Sequence, residues 1–251
     1  MTTLIGSFGP HNSRSQRMPA TASPAEKRMH DFLADTVHEL RTPLTVIRGS
    51  TQFLLQRNRL NPGEVDALLA GIDEEASRLS RLIDNLLHLG RLDAGQPLMP
   101  RDVALSSFLD AFVTRYAVAW PGRPVGVDAS RVNGAHVHVD PDALTRVLLN
   151  LVDNAARYST SGSPILISCQ AVGETVVIDV QDDGPGLEPE IAARLFERFY
   201  RGSTSRKHHT GGCGLGLAIV RALVEQSRGE ISMETGPDRG TTVVVKLPSS
   251  D

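Results

Sequence analysis

Apolar positions recur four and three residues apart from about Ala25: Leu33, Val37, Leu40, Leu44, Ile47, Thr51 and Leu54. Such alternation is a heptad seam and predicts one long helix. Asn61-Pro62-Gly63-Glu64 interrupts it. Asn61 can cap a new helix, Pro62 suits a first turn, and Glu64 stands where a capping-box carboxylate belongs. The seam then resumes through Val65, Leu69, Ile72, Ala76, Leu79, Ile83 and Leu86. The pattern predicts a hairpin of two long amphipathic helices. A lone hairpin leaves apolar face uncovered, and two of them close as a four-helix bundle, so a homodimer held by residues 25–93 is expected. The rival is a monomeric hairpin packed on its own second domain.

Asp93-Ala94-Gly95-Gln96-Pro97 ends the second helix and begins a linker. Beyond it the period changes. Leu105 to Trp120 reads as a helix, and Val125–Val127 and His136–Val139 as short strands. Asp140-Pro141 opens a helix to about Tyr158. Ile165–Ala171 and Thr175–Gln181 alternate as an antiparallel pair around Gly173-Glu174. A glycine-rich irregular stretch over 183–214 leads into a helix from Leu215 to Gln226, and strands Glu230–Glu234 and Thr241–Leu247 follow. The expected fold is α+β: a dimeric helical bundle followed by a two-layer α/β sandwich. The expected domains are a disordered tail at 1–24, the hairpin at 25–95 and a second domain at 96–251. The tail is rich in Ser, Thr, Pro, Asn and Arg and has no hydrophobic period.

Composition narrows the picture only slightly. Apolar residues make up 40% and charged residues 22% of the 251, with a net charge of -3. No basic excess points to nucleic acid. Two distant cysteines, Cys169 and Cys213, form neither a disulfide framework nor a ligand cluster. No apolar run approaches the about 18 residues of a membrane span, and the start lacks a basic leading segment. A cytoplasmic chain is expected.

Two constellations carry candidate chemistry. The first is His38-Glu39-Leu40-Arg41-Thr42-Pro43-Leu44. With Val37 and Leu40 on the seam, His38, Glu39 and Thr42 point away from it, and His38 and Thr42 share a face one turn apart. A histidine nucleophile sheds a proton as it attacks phosphorus, and a neighbouring carboxylate can fix its tautomer and take that proton. Glu39 is placed for this. Pro43 cannot donate to the Glu39 carbonyl and predicts a local bend.

The second constellation is spread over four segments. Asn150 and Asn154 lie one turn apart and can present amide oxygens to Mg²⁺ or its water, while Arg157 can reach phosphates. Asp182, at a strand end, can accept from the exocyclic amine of adenine, and Gly184 and Gly186 let backbone approach the base. Gly211 to Leu217 runs into a helix start, whose exposed amides suit an anion. Gly240-Thr241-Thr242 turns into the last strand. His136 and His138 alternate on a strand and His208 and His209 sit in the irregular stretch, where exposed histidines are expected rather than a metal site.

With these residues in this order, the chain resembles the HisKA-type sensor histidine kinases, whose ATP domain is shared with gyrase and Hsp90. The resemblance covers about residues 25–248. It runs through an H box at 38–44, an N box at 150–158, a first glycine box at 182–186, an F box at 195–200, a second glycine box at 212–217 and a third at 240–242. It implies autophosphorylation of His38 from Mg-ATP, with Glu39 as acid/base partner, and transfer to an aspartate of a response regulator receiver domain. Thr42 completes an H-E-x-x-T pattern linked to dephosphorylation of that partner. Asn154, assisted by Asn150, is implied as Mg²⁺ ligand and Asp182 as adenine reader. Arg157, Tyr158, Gly184, Gly186, Gly212, Gly214, Leu215, Gly216 and Thr241 are implied around ATP, and Arg201 at phosphate in a lid over 184–214. Arg157 replaces the commoner lysine, and Cys213 replaces a commoner threonine. No sensor segment precedes these boxes, so a separate sensor protein is an expected partner. The rivals are a phosphatase-biased or regulatory ATP-binding module without autokinase activity, and a gyrase/Hsp90-like ATPase. The intact His38, Asn154 and Asp182 argue against the first, and His38 with an asparagine at 150 argues against the second.

Overall fold

The computed structural model describes residues 24–56, 60–116, 119–120, 122–132, 134–200 and 214–250. The tail reading for 1–24 therefore falls almost wholly outside the described residues. Two compact units divide within the first helix, residues 1–38 and 39–251.

Helix α1 spans Pro24–Leu55 and runs unbroken through Pro43, which is buried. In the first unit its apolar residues Leu33 and Val37 are half-exposed, as is Leu44 in the second. Helix α2 spans Pro62–Asp93. Its start is the capping box that the sequence predicts. Asn61 Oδ1 accepts from the Glu64 amide (2.9 Å), and the Asn61 amide donates to Glu64 Oε2 (2.8 Å). Within the second unit, Arg78 of α2 reaches the Glu39 carboxylate at 3.4 Å, which brings the two helices side by side. Leu82 and Leu89 are buried, whereas Phe53, Leu69, Ile83 and Leu87 stay exposed. The hairpin thus carries an apolar face that its own helices do not cover.

Strand β1 (Arg101–Ala104), helix α3 (Leu105–Tyr116), strands β2 (Val125–Arg131) and β3 (His136–Val139), and helix α4 (Pro141–Tyr158) come next. Strands β4 (Ile165–Val172) and β5 (Thr175–Asp182), a single-turn helix α5 (Pro189–Ala192), helix α6 (Gly216–Gln226), and strands β6 (Glu230–Thr235) and β7 (Thr241–Ser250) complete the described chain. The sheet order is β1-β3-β7-β5-β4-β2, with β6 also on β7. The far edge of β7 is divided between two partners. Its first residues pair with β6, and Ser249 and Ser250 pair with β3. The expected β4–β5 hairpin is present, with Val172 opposite Thr175. β2 departs from the antiparallel rule and pairs parallel to β4, from Val125 opposite Ile165.

One face of this sheet carries the core. Ile165, Ile167, Cys169, Val176, Ile178, Val180, Val243, Val245 and Leu247 alternate inward, as strands with one covered face must. They pack against the buried stripes of α4 (Ala143, Leu144, Val147, Leu148, Leu151, Val152, Ala155) and α6 (Ala218, Ile219, Val220, Leu223, Val224). The result is the two-layer α+β architecture read from the pattern. Burial pushes the Cys169 thiol up to about 12, so it behaves as a small core residue. Among the described residues no helix is long and apolar enough to cross a membrane.

Three elements differ from expectation. β1 was unexpected, because only Val103 of its four residues turns inward and one apolar position makes no alternation. α5 is a single turn set by Pro189 at its start. α3 ends at Tyr116 rather than Trp120, and Trp120 instead packs on Phe112 with ring centroids 6.3 Å apart.

Candidate functional site

His38 and Thr42 are both exposed on α1. Glu39 is half-buried and turned to Arg78, which also lies 3.8 Å from Glu75. The sequence pointed Glu39 away from the seam; the structure places it against α2, because a long cation on the facing helix draws it in.

The other segments converge on α4, and glycines mark where they touch. Asp140 starts α4: its Oδ1 accepts from the Asp142 and Ala143 amides. Its Oδ2 accepts from the Met99 amide (2.8 Å), tying the incoming chain to the helix start. Asn150 and Asn154 are half-buried, one turn apart. Asn150 Nδ2 donates to the Arg146 carbonyl (2.8 Å). Its Oδ1 is thereby directed at Gly216, where a Cβ would lie only 2.8 Å from it. The second glycine box therefore begins α6 directly beside the N box. Leu215 is fully buried, so only its backbone remains to meet a ligand. Among the described residues no side chain caps this helix start.

Asp182 ends β5. Its Oδ1 accepts from the Gly184 amide (2.8 Å), and the site of a Gly184 Cβ lies 3.0 Å from the Tyr158 carbonyl at the end of α4. Burial raises the Asp182 carboxyl above its usual range, the Gly184 amide lowers it, Asp183 raises it and Arg123 lowers it. Gly186 and Gly240 adopt positive φ (65° and 70°). A Cβ on Gly186 would strike the Gly236 carbonyl, and one on Gly240 would strike the Asp182 carbonyl. The third glycine box thus closes on the first, and Thr241 pairs directly with Asp182 across the strands. Gly214, at φ 70°, abuts Phe199 and Tyr200 of the F box, and the Phe199 amide donates to the Gly214 carbonyl (2.9 Å).

Arg157 and Tyr158 are exposed at the end of α4. Arg201, Gly212, Cys213, His208 and His209 lie outside the described residues. His136 and His138 are exposed, and His138 Nδ1 is 2.8 Å from Asp102 Oδ1. The described residues hold no group of three or more metal-ligating side chains of the His, Cys, Asp and Glu kind.

Sequence reasoning missed Trp120, Arg123 and Thr235. Trp120 Nε1 donates to Asp153 Oδ1 (2.6 Å) inside the N box. Arg123 binds the end of α4. Thr235 Oγ1 accepts from the Leu187 amide and donates to the Gly240 carbonyl, each at 3.0 Å. The one available signal was the chain's single tryptophan beside Pro-Gly-Arg-Pro, a turn placed directly after a helix.

Donor chemistry supports a hard cation at Asn150 and Asn154. Amide oxygens are the right ligand type, and Gly216, lacking a Cβ, lets one of them, Asn150 Oδ1, lie close against the start of α6.

Residues 28–95 match the model of the His Kinase A (phospho-acceptor) domain. Residues 139–251 match that of the histidine kinase-, DNA gyrase B- and HSP90-like ATPase. The chain is 31% identical to the sensor protein SrrB of Staphylococcus aureus over 88% of its own length and 38% of the relative's. It therefore spans about two fifths of the length of the curated relatives it matches. Among solved structures, full-length ShkA in complex with AMPPNP is 26% identical at a TM-score of 0.62, over 88% of this chain and 46% of that one. Histidine kinase ThkA in complex with the response regulator TrrA shares the fold at a TM-score of 0.71 and 20% identity, over 89% and 64%.

Proposed function

We propose, for a chain that belongs to the HisKA-type sensor histidine kinases, that it phosphorylates its own His38 from ATP and passes the phosphoryl group to a receiver-domain aspartate. The observation that carries the reading is the convergence of the boxes. Gly184, Gly214, Gly216 and Gly240 each leave no room for a Cβ where one segment meets the next. Segments distant in sequence are thereby brought to the middle and C-terminal part of α4, around Asn150, Asn154 and Asp182.

In this reading Asp182 accepts from the adenine amine, and the backbone about Gly184 and Gly186 lies against the base. The uncapped amides opening α6 receive phosphate oxygens. Asn154, with Asn150, would hold Mg²⁺, and the ion would supply neutralisation of phosphate charge. Arg157 and Arg201 face phosphates, and Tyr158 lies beside the nucleotide. His38 attacks the γ-phosphorus through the lone pair of a ring nitrogen. A nitrogen–phosphorus bond forms, the bond to the bridging oxygen breaks, and ADP leaves with that electron pair. The ring proton passes to Glu39. Catalysis is mostly positioning and charge neutralisation.

The domains in this reading are a phosphotransfer hairpin at 25–95 and an ATP-binding domain at 96–251. The uncovered apolar face of the hairpin supports a homodimer. Thr42, exposed one turn beyond His38 in sequence, supports a phosphatase role toward the partner. A receiver domain docks on the hairpin; ThkA, which shares the fold, is itself found in complex with a response regulator. The chain works in the cytoplasm.

Autophosphorylation with γ-labelled Mg-ATP tests the reading. Label in the wild type, acid-labile and base-stable, and none in His38→Gln, is the expected result. A folded wild type that binds ATP but takes no label leaves the phosphatase-biased module in its place.

A further inference from the structure

A loop outside all the boxes grips the N-box helix at two points. Trp120 and Arg123 flank a turn closed by the Arg123 amide donating to the Trp120 carbonyl (3.0 Å). Trp120, buried, donates to Asp153 in the middle of α4 (2.6 Å). Arg123 takes the end of the helix. Its Nη1 donates to Ser159 Oγ and to the Thr160 carbonyl, both at 2.6 Å, and its Nη2 to the Ser159 carbonyl at 3.2 Å. Ser159 is the C-cap of α4 and is buried. Carbonyls at a helix C-terminus lack intrahelical donors and carry the negative end of the dipole, so a forked cation suits them doubly.

The contact does not end at the cap. Tyr158, one residue earlier, presents its carbonyl to Gly184, and the Gly184 amide holds Asp182 Oδ1 (2.8 Å). A chain of close contacts thus runs from Arg123 through residues 158–160 and Gly184 to the carboxylate. The Arg123 charge also acts on Asp182 directly, against the burial and the Asp183 charge that disfavour its ionised form.

We propose that Arg123 is a positioning residue of the nucleotide site, holding the end of α4 against the Gly184 turn that seats Asp182. The inference rests on the adenine-reading role given to Asp182 above. Arg123 touches no nucleotide in this scheme; it sets where the acceptor stands and favours the charge it carries. Lysine keeps the cation but loses the three-bond fork, and glutamine loses both.

The test is calorimetric titration of ADP into the full chain as wild type, Arg123→Lys and Arg123→Gln, at acid, neutral and mildly alkaline pH. Melting curves establish that each variant is folded. Arg123→Gln is expected to bind about tenfold more weakly at neutral pH, with the deficit widening as pH falls and Asp182 takes up its proton sooner. Arg123→Lys is expected to restore the wild-type pH profile without restoring full affinity. In autophosphorylation the KM for ATP rises while kcat stays within about twofold. A folded Arg123→Gln that binds ADP like the wild type at every pH overturns the inference. So does an equal loss at every pH that lysine does not relieve, which marks a purely structural arginine. A wild type that binds no ADP overturns the nucleotide-site reading itself, and the inference falls with it; wild-type binding with an unaltered variant overturns the inference alone.

Discussion

Arg198 and Asp93, 105 positions apart in sequence, form a two-pronged ion pair: Nη1 to Oδ2 at 2.8 Å and Nη2 to Oδ1 at 2.6 Å. The pair joins the F box to the last residue of α2. Gln226 of α6 adds a second tie, donating to the Gln96 carbonyl at 2.9 Å. The segment that the sequence marks as a linker is therefore fastened at both sides within this unit.

Both partners are about half-exposed, so the pair contributes modestly, about 0.5 kcal/mol. Arg198→Gln is expected to speed hydrogen exchange of the Ala94, Gly95 and Gln96 amides by about twofold at neutral pH and low salt. The Arg198 hydrogen bond holds the Asp93 carboxyl below its usual range. A depressed carboxyl stabilises above its unfolded pKa, and that contribution is lost as pH falls through the depressed value. The wild-type protection should therefore fade in acid and in high salt, and the variant should not respond. Equal exchange in both proteins at neutral pH counts against a working latch.

Gly186→Ala introduces a methyl group into the Gly236 carbonyl at a φ of 65°. Strain and overpacking together cost roughly 3 kcal/mol. Thermal melting should show a large loss of stability, with ADP binding lost alongside it. A variant that melts near the wild-type temperature would mean that the first and third glycine boxes do not close on each other as described.

Asp182→Asn separates stability from binding. Burial raises the Asp182 carboxyl, so its ionised form is penalised in the folded state. The sign is opposite to that of Asp93: this carboxylate destabilises the fold above its raised pKa, and the penalty is relieved as pH falls through it. Asparagine keeps an acceptor for the Gly184 amide without the charge. The variant should melt at or above the wild-type temperature at neutral pH while binding ADP about 100-fold more weakly. Unchanged ADP affinity would remove Asp182 from the nucleotide site.

Leu44 is 54% exposed on α1 although it lies on the heptad seam. Leu44→Glu is expected to convert the dimer proposed above to a monomer, read by light scattering at micromolar concentration, with little change in ADP binding. A wild type that is itself monomeric would return the hairpin to the monomeric alternative.

Local signals were the legible ones. The Asn61–Glu64 capping box and the Asp140-Pro141 helix start are each settled within four residues, and both helices begin where those residues stand. The β4–β5 hairpin was legible from its alternation and its two-residue turn. β1 was not, because a strand with one inward residue is recognised only by its partner, β3. The parallel β2–β4 pairing was hidden for the same reason: register between distant strands is a property of the closed sheet.

The sequence by itself determined the two long helices, the caps and the two-layer architecture, because periodicity and capping act over one or two turns. Tertiary structure alone decided which glycines are points of contact, that Glu39 turns to Arg78, that Arg198 reaches Asp93, and that Arg123 holds the end of α4. Those are encounters between segments tens of residues apart, and no local pattern encodes which carbonyl a distant guanidinium will meet once the core has closed.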